Sequence, residues 1–270
     1  MPGSLPIPHP EWECLAEQHT ALHAQIARAL ADLHALEDSR PVVLGRYAAA
    51  FGERLLRLHR LEIEAARLKR EIELVQTAIN NGREIDYQVI CDTLDEEFAA
   101  WQEKLEAEAA LLEKQRGVLE HLMEPETVRT MDKLFRQLVR RLHPDLHEGQ
   151  SDAETELWHR VLAAYEERDL EELQALEILT REPAHDLPTG PDPLDALRNQ
   201  VERLRLLLDR RLLAIADTRR LWPFDQEVLL DDPAAVATQQ SSLDDRLREL
   251  AQLSDERKQW LGTLLDRGSE

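Results

Sequence analysis

The sequence predicts an all-α protein, and three observations carry that expectation. Charged residues make up 32% of the chain and aromatic residues 4%, with only 9 glycines, and the abundance of Ala, Leu, Glu, Arg and Gln suits long helices. Apolar residues recur at three- and four-residue steps over most of the length, the period of a helix face. No alternating run bounded by hairpin turns suggests a strand.

The elements follow in chain order. Residues 1–10 hold Pro2, Pro6, Pro8 and Pro10 and read as a flexible tail, with Pro10 able to open a helix. Residues 11–124 read as a helical coiled-coil region. Trp12, Leu15, Leu22, Ile26, Leu30, Leu33 and Leu36 form a first amphipathic stripe, which Ser39-Arg40-Pro41 is expected to interrupt. A heptad-like seam runs from Phe51 to Ile79 and stops at Asn80-Asn81-Gly82, where Gly82 can supply a left-handed cap. The pattern restarts at Tyr87 and continues through Ile90, Leu94, Phe98, Trp101, Leu105 and Leu112 in a helix expected over 84–123. Two such helices joined by a short turn predict a long antiparallel hairpin. The same heptads would equally serve a homodimer.

Glu124-Pro125-Glu126 opens a compact module over 125–181. Residues 182–193, with four prolines and Gly190, read as a linker. Residues 194–266 read as a C-terminal helical hairpin with Trp222-Pro223-Phe224 at its corner. Asp192 and Pro193 are a suitable cap and first residue for its opening helix.

Composition restricts function. The net charge of −21 opposes general binding to nucleic acid or to an anionic membrane, because both would repel the chain. Met1 to Pro10 lack the pattern of a signal peptide, and no apolar run approaches the roughly 20 residues of a membrane span. Cys14 and Cys91 are too few for a disulfide framework or a zinc ribbon and read as reduced cysteines. A soluble, cytoplasmic protein is expected. His19 and His23 stand four residues apart, and His143, His147 and His159 lie close in sequence. Without an ordered ligand set these read as ordinary histidines, so no metal or cofactor is expected. No Gly-rich phosphate loop, G-x-S-x-G or H-E-x-x-H motif is present, which argues against an enzyme.

The informative stretch lies between Lys133 and Tyr165. Phe135, Leu138, Val139 and Leu142 share one helix face. Lys133, Arg136, Arg140 and Arg141 lie mostly on the other, in a stretch without an acidic residue. Pro144 lacks an N–H and biases His143 away from helical geometry, so the helix must end there. Ser151 and Glu154 form a capping box that starts the next helix, whose apolar face is Trp158, Val161, Leu162 and Tyr165. Two helices joined by so short a loop should lie antiparallel, with His143-Pro144-Asp145 at the tip.

At these residues the segment resembles the J domain of the DnaJ family. The match is Phe135, Leu138 and Leu142 before His143-Pro144-Asp145, and Trp158, Val161, Ala164 and Tyr165 after it. The resemblance implies a co-chaperone that binds a DnaK-type chaperone and stimulates its ATP hydrolysis. It implies that the basic helix steers the encounter, that Asp145 pairs with a chaperone arginine, and that His143 and Pro144 shape the loop. The helical arms would then bind a client or partner. Two departures stand out. No usual first J helix precedes Phe135, and Leu111–Leu122 is the expected substitute. Leu146-His147 also replaces the family's basic and Asn residues after the loop. The alternative is a structural coiled-coil scaffold in which the J-like module is only a packing unit.

Overall fold

A computed structural model describes residues 10–119, 122–147, 150–180 and 193–268. The described residues contain helices and no strand. The helices are α1 (Pro10–Tyr47), α2 (Glu53–Asn80), α3 (Tyr87–Val118), α4 (Pro125–Leu142), α5 (Asp152–Glu166), α6 (Leu170–Leu179), α7 (Pro193–Arg219), α8 (Glu227–Leu230) and α9 (Pro233–Gly268). Residues 1–9 of the tail and 182–192 of the linker, Asp192 among them, lie outside the described residues, as does Gly149 of the His-Pro-Asp loop. Among the described residues no helix is long and apolar enough to cross a membrane.

The chain divides into two compact units, each discontinuous in sequence: Met1–Arg40 with Leu122–Asp225, and Pro41–His121 with Gln226–Glu270. This division corrects the expected order of consecutive segments in two places. The stripe in 11–40 joins the central module rather than the long hairpin. The residues of the expected C-terminal hairpin are divided between the units, with α7 in the first and α9 in the second. A heptad stripe specifies that a face is buried but not which partner buries it.

The expected break at Ser39-Arg40-Pro41 also does not occur, since α1 continues through Pro41 to Tyr47. Pro41 removes one backbone hydrogen bond, and the Ser39 hydroxyl donates to the Leu36 carbonyl at 2.7 Å in the turn before it. Beyond it Val43, Ala48 and Phe51 are buried, so packing outweighs the local penalty. A π-helical turn, Ala48–Gly52, then leads into α2.

The first unit has one core. Ile26, Leu30 and Ala31 of α1 meet Met131, Phe135, Leu138 and Val139 of α4, Trp158 and Val161 of α5, Leu173 and Leu176 of α6, and Val201 and Leu204 of α7. Helix α7 runs parallel to α1. Arg198 bonds Glu11 at 2.8 Å and Arg205 bonds Gln18 at 2.7 Å, both pairs 187 residues apart in sequence. The Trp222-Pro223-Phe224 corner packs on α1. Phe224 is buried, the Arg40 guanidinium lies 4.9 Å from its ring centre, and Arg40 donates to the Trp222 carbonyl at 3.2 Å.

In the second unit α3 runs antiparallel to α2. Arg67 pairs with Asp95 at 2.6 Å, Arg70 with Glu97 at 2.9 Å, and His59 with Glu108 at 2.8 Å. Asp86 caps α3 by accepting from the Gln88 and Val89 amides at 3.1 and 3.3 Å. Gly82 ends the turn after α2 at φ 60, as its sequence position predicts. Helix α9 runs parallel to α2, with Arg54 bonded to Asp244 at 3.0 Å and Lys258 to Glu64 at 2.6 Å. Val75, Ile90, Leu94, Leu261 and Leu264 form the core between these helices.

Candidate functional site: the His-Pro-Asp loop

Helix α4 starts at Pro125 and buries Met131, Phe135, Leu138, Val139 and Leu142 on one face. The Ser151–Glu154 capping box starts α5. The two helices are antiparallel. Near the start of α4, the Tyr165 hydroxyl donates to Asp132 at 2.9 Å, and the Phe135 and Tyr165 rings stack at 4.0 Å. At its end, His143 meets Trp158. All six expected core residues, Phe135, Leu138, Leu142, Trp158, Val161 and Tyr165, are buried.

His143 ends α4 with extended backbone, φ −70 and ψ 128, the geometry that a following proline favours. Its N–H still bonds the Val139 carbonyl at 2.9 Å, and its own carbonyl accepts from the Leu146 amide at 2.9 Å. The ring Nδ1 accepts the Asp145 N–H at 3.0 Å. That bond requires a neutral imidazole with its proton on Nε2. Burial pushes the His143 pKa down to about 4, and this outweighs the opposing pull of the Asp145 carboxylate. Pro144 and Asp145 are exposed.

Helix ends leave carbonyls without intrahelical donors, and the loop satisfies two of them. His147 Nε2 lies 2.9 Å from the Arg140 carbonyl, and the Gln150 amide donates to the Leu142 carbonyl at 2.6 Å. Leu146 is buried in the unit's core. Both residues after Asp145 thus have structural roles: Leu146 anchors the loop and His147 ties it to α4.

The four basic residues fall into two groups. Lys133 and Arg136 are exposed, while Arg140 and Arg141 are half-buried. Arg141 donates to the Glu177 carbonyl at 3.1 Å and approaches its carboxylate at 3.4 Å. It therefore serves to hold α6.

Two features escape the sequence reading. The segment expected to stand in for a first J helix divides, with its α3 residues in the second unit and Leu122 in the first. Helix α1 packs on the core of the first unit, with the His34 ring edge-on to Phe135 at 5.4 Å. The second feature is Arg211 of α7, which forms a salt bridge with Asp145. Leu197, Val201, Leu204, Leu208, Arg211 and Ile215 keep a strict four-three spacing. An arginine in such a seam is the sequence signal for a charge partner, and it is obscured by the neighbouring Leu212, which is exposed.

The second unit carries a groove of about 500 Å³ lined by apolar residues, among them Ile63, Phe98, Trp101 and Leu105, and by polar ones that include Glu62 and Lys104. Among the described residues no group of three or more His, Cys, Asp or Glu side chains is arranged to hold a metal ion. Searches against protein-family models, curated proteins and solved structures found no match.

Proposed function

We propose that this protein is a J-domain-type co-chaperone acting in the cytoplasm on a DnaK-type chaperone. The observation that supports the reading is the tip of the α4–α5 pair. There an exposed Pro144 and Asp145 stand on a turn fixed by the His143 ring and backed by the buried aromatic core. The protein does no chemistry of its own. Lys133 and Arg136 steer the encounter with an acidic surface, and the loop favours one conformational state of the partner. The α2–α3 groove, mostly apolar with charged residues such as Glu62 and Lys104 in its lining, suits a client or partner segment.

The decisive experiment is single-turnover ATP hydrolysis by a DnaK-type chaperone with the full chain added. Stimulation that His143→Gln and Asp145→Asn abolish is the expected result. No stimulation across several such chaperones would overturn the reading.

A second reading draws on a specific observation. His143 is half-buried and Asp145 already has an internal partner in Arg211. Both facts favour a helical scaffold in which the loop is a packing element. In that case the loop variants would change stability and leave every chaperone unaffected.

A further inference from the structure

We infer that Arg211 masks the loop: α7 places an internal guanidinium on the carboxylate that the chaperone would engage, so full engagement requires this contact to open. The inference rests on the co-chaperone reading above and adds a mode of regulation to the same site.

Three observations support it. First, the contact is built into the seam of α7. Val201 and Leu204 lie in the core of the first unit, Leu207 and Leu208 pack against it, and Arg211 follows on the same face. The stripe that docks α7 therefore also aims its arginine at the loop. Second, the pair occupies chemistry that a partner needs. Arg211 Nη2 donates to Asp145 Oδ2, and a carboxylate oxygen engaged by one guanidinium is less available to another. Third, Arg211 Nε is buried with no hydrogen-bond partner. The guanidinium is thus only partly satisfied where it sits, which keeps the closed arrangement from being deeply favoured.

Exposure sets the size of the effect. The Arg211 and Asp145 side chains are 32% and 31% exposed, so solvent screens the pair. Such a pair shifts an equilibrium by about two- to fivefold. That is too weak for a permanent lock and enough for a bias that a binding partner can reverse.

The test uses the full chain as wild type, Arg211→Ala, Arg211→Lys and Arg211→Ala/Asp145→Asn, each checked for helicity. Binding to a DnaK-type chaperone and single-turnover ATP hydrolysis are measured together. Backbone amide exchange at Asp145, Leu146 and His147 is measured without chaperone. Arg211→Ala should bind about two- to fivefold more tightly and exchange faster at those amides. Arg211→Lys keeps the charge and should stay near wild type, and the double variant should not stimulate. Stimulation by wild type with no gain from Arg211→Ala overturns the mask and leaves the co-chaperone reading standing. Unchanged amide exchange in Arg211→Ala overturns the mask whatever the chaperone does. Absence of stimulation by wild type and Arg211→Ala alike overturns both.

Discussion

The imidazole of His143 meets the Trp158 ring edge-on, with ring centres 4.8 Å apart. The indole shields the histidine from water, and burial lowers its pKa from 6.5 to about 4. An unfolded chain takes up this proton near pH 6.5, whereas the folded chain resists it until about pH 4. Between those values the unfolded state binds more protons, so stability rises with pH. The contribution is complete above about pH 6.5 and is lost as pH falls toward 4. The first unit should therefore lose on the order of 1–3 kcal/mol between pH 7 and pH 4 through this residue. Urea unfolding at several pH values, compared with His143→Gln, isolates the effect. An NMR titration midpoint for His143 near 6.5 would sink the argument.

The two groups of basic residues should separate experimentally. Lys133 and Arg136 are exposed and available for long-range steering. On the proposed co-chaperone function, Lys133→Glu with Arg136→Glu should slow association with a DnaK-type chaperone several-fold at low salt and lose most of that effect at high salt. Arg141→Ala should instead cost about 1–3 kcal/mol of stability, because it removes the donor to the Glu177 carbonyl from a half-buried site. Stopped-flow association and chemical denaturation distinguish these outcomes. Equal effects of both variants on association would contradict the assignment.

Two glycines make opposite predictions for the same substitution. A Cβ on Gly45 would stand 2.8 Å from the backbone carbonyl of Gln115, whereas one on Gly262 meets nothing within 4 Å. Gly45→Ala should destabilise the second unit by about 1–3 kcal/mol, since a backbone atom in α3 must move. Gly262→Ala lies inside α9 and should stabilise by about 0.5–1 kcal/mol through helix propensity alone. Thermal denaturation of both variants gives the signs directly. A Gly45→Ala protein as stable as wild type would show that the close approach is not maintained in solution.

Local signals were legible in the sequence and long-range ones were not. The helix face of Phe135, Leu138 and Leu142, the stop at Pro144, the Ser151 capping box and the turn at Gly82 all depend on neighbours within a few residues, and each forms as expected. Pro41 misled because the propensity rule knows nothing of the buried Val43, Ala48 and Phe51 beyond it. The partner of α7 was hidden for a different reason. Its apolar stripe does not name a partner, and tertiary packing sets it along α1. At the site itself Arg211 is hard to read from the sequence, because the exposed Leu212 beside it carries the hydrophobic signal while the charged residue holds the seam position.

The pairing of α1 with α7 also fixes an order of events during synthesis. Glu11 leaves the ribosome 187 residues before Arg198, the residue it bonds. At about 5–20 residues per second, that interval is roughly 10–40 s. Throughout it the buried stripe of α1, Ile26 with Leu30 and Ala31, has no completed partner surface. A chain with this topology must spend its early life with an apolar helix face uncovered, as an object for the kind of chaperone it is proposed to serve.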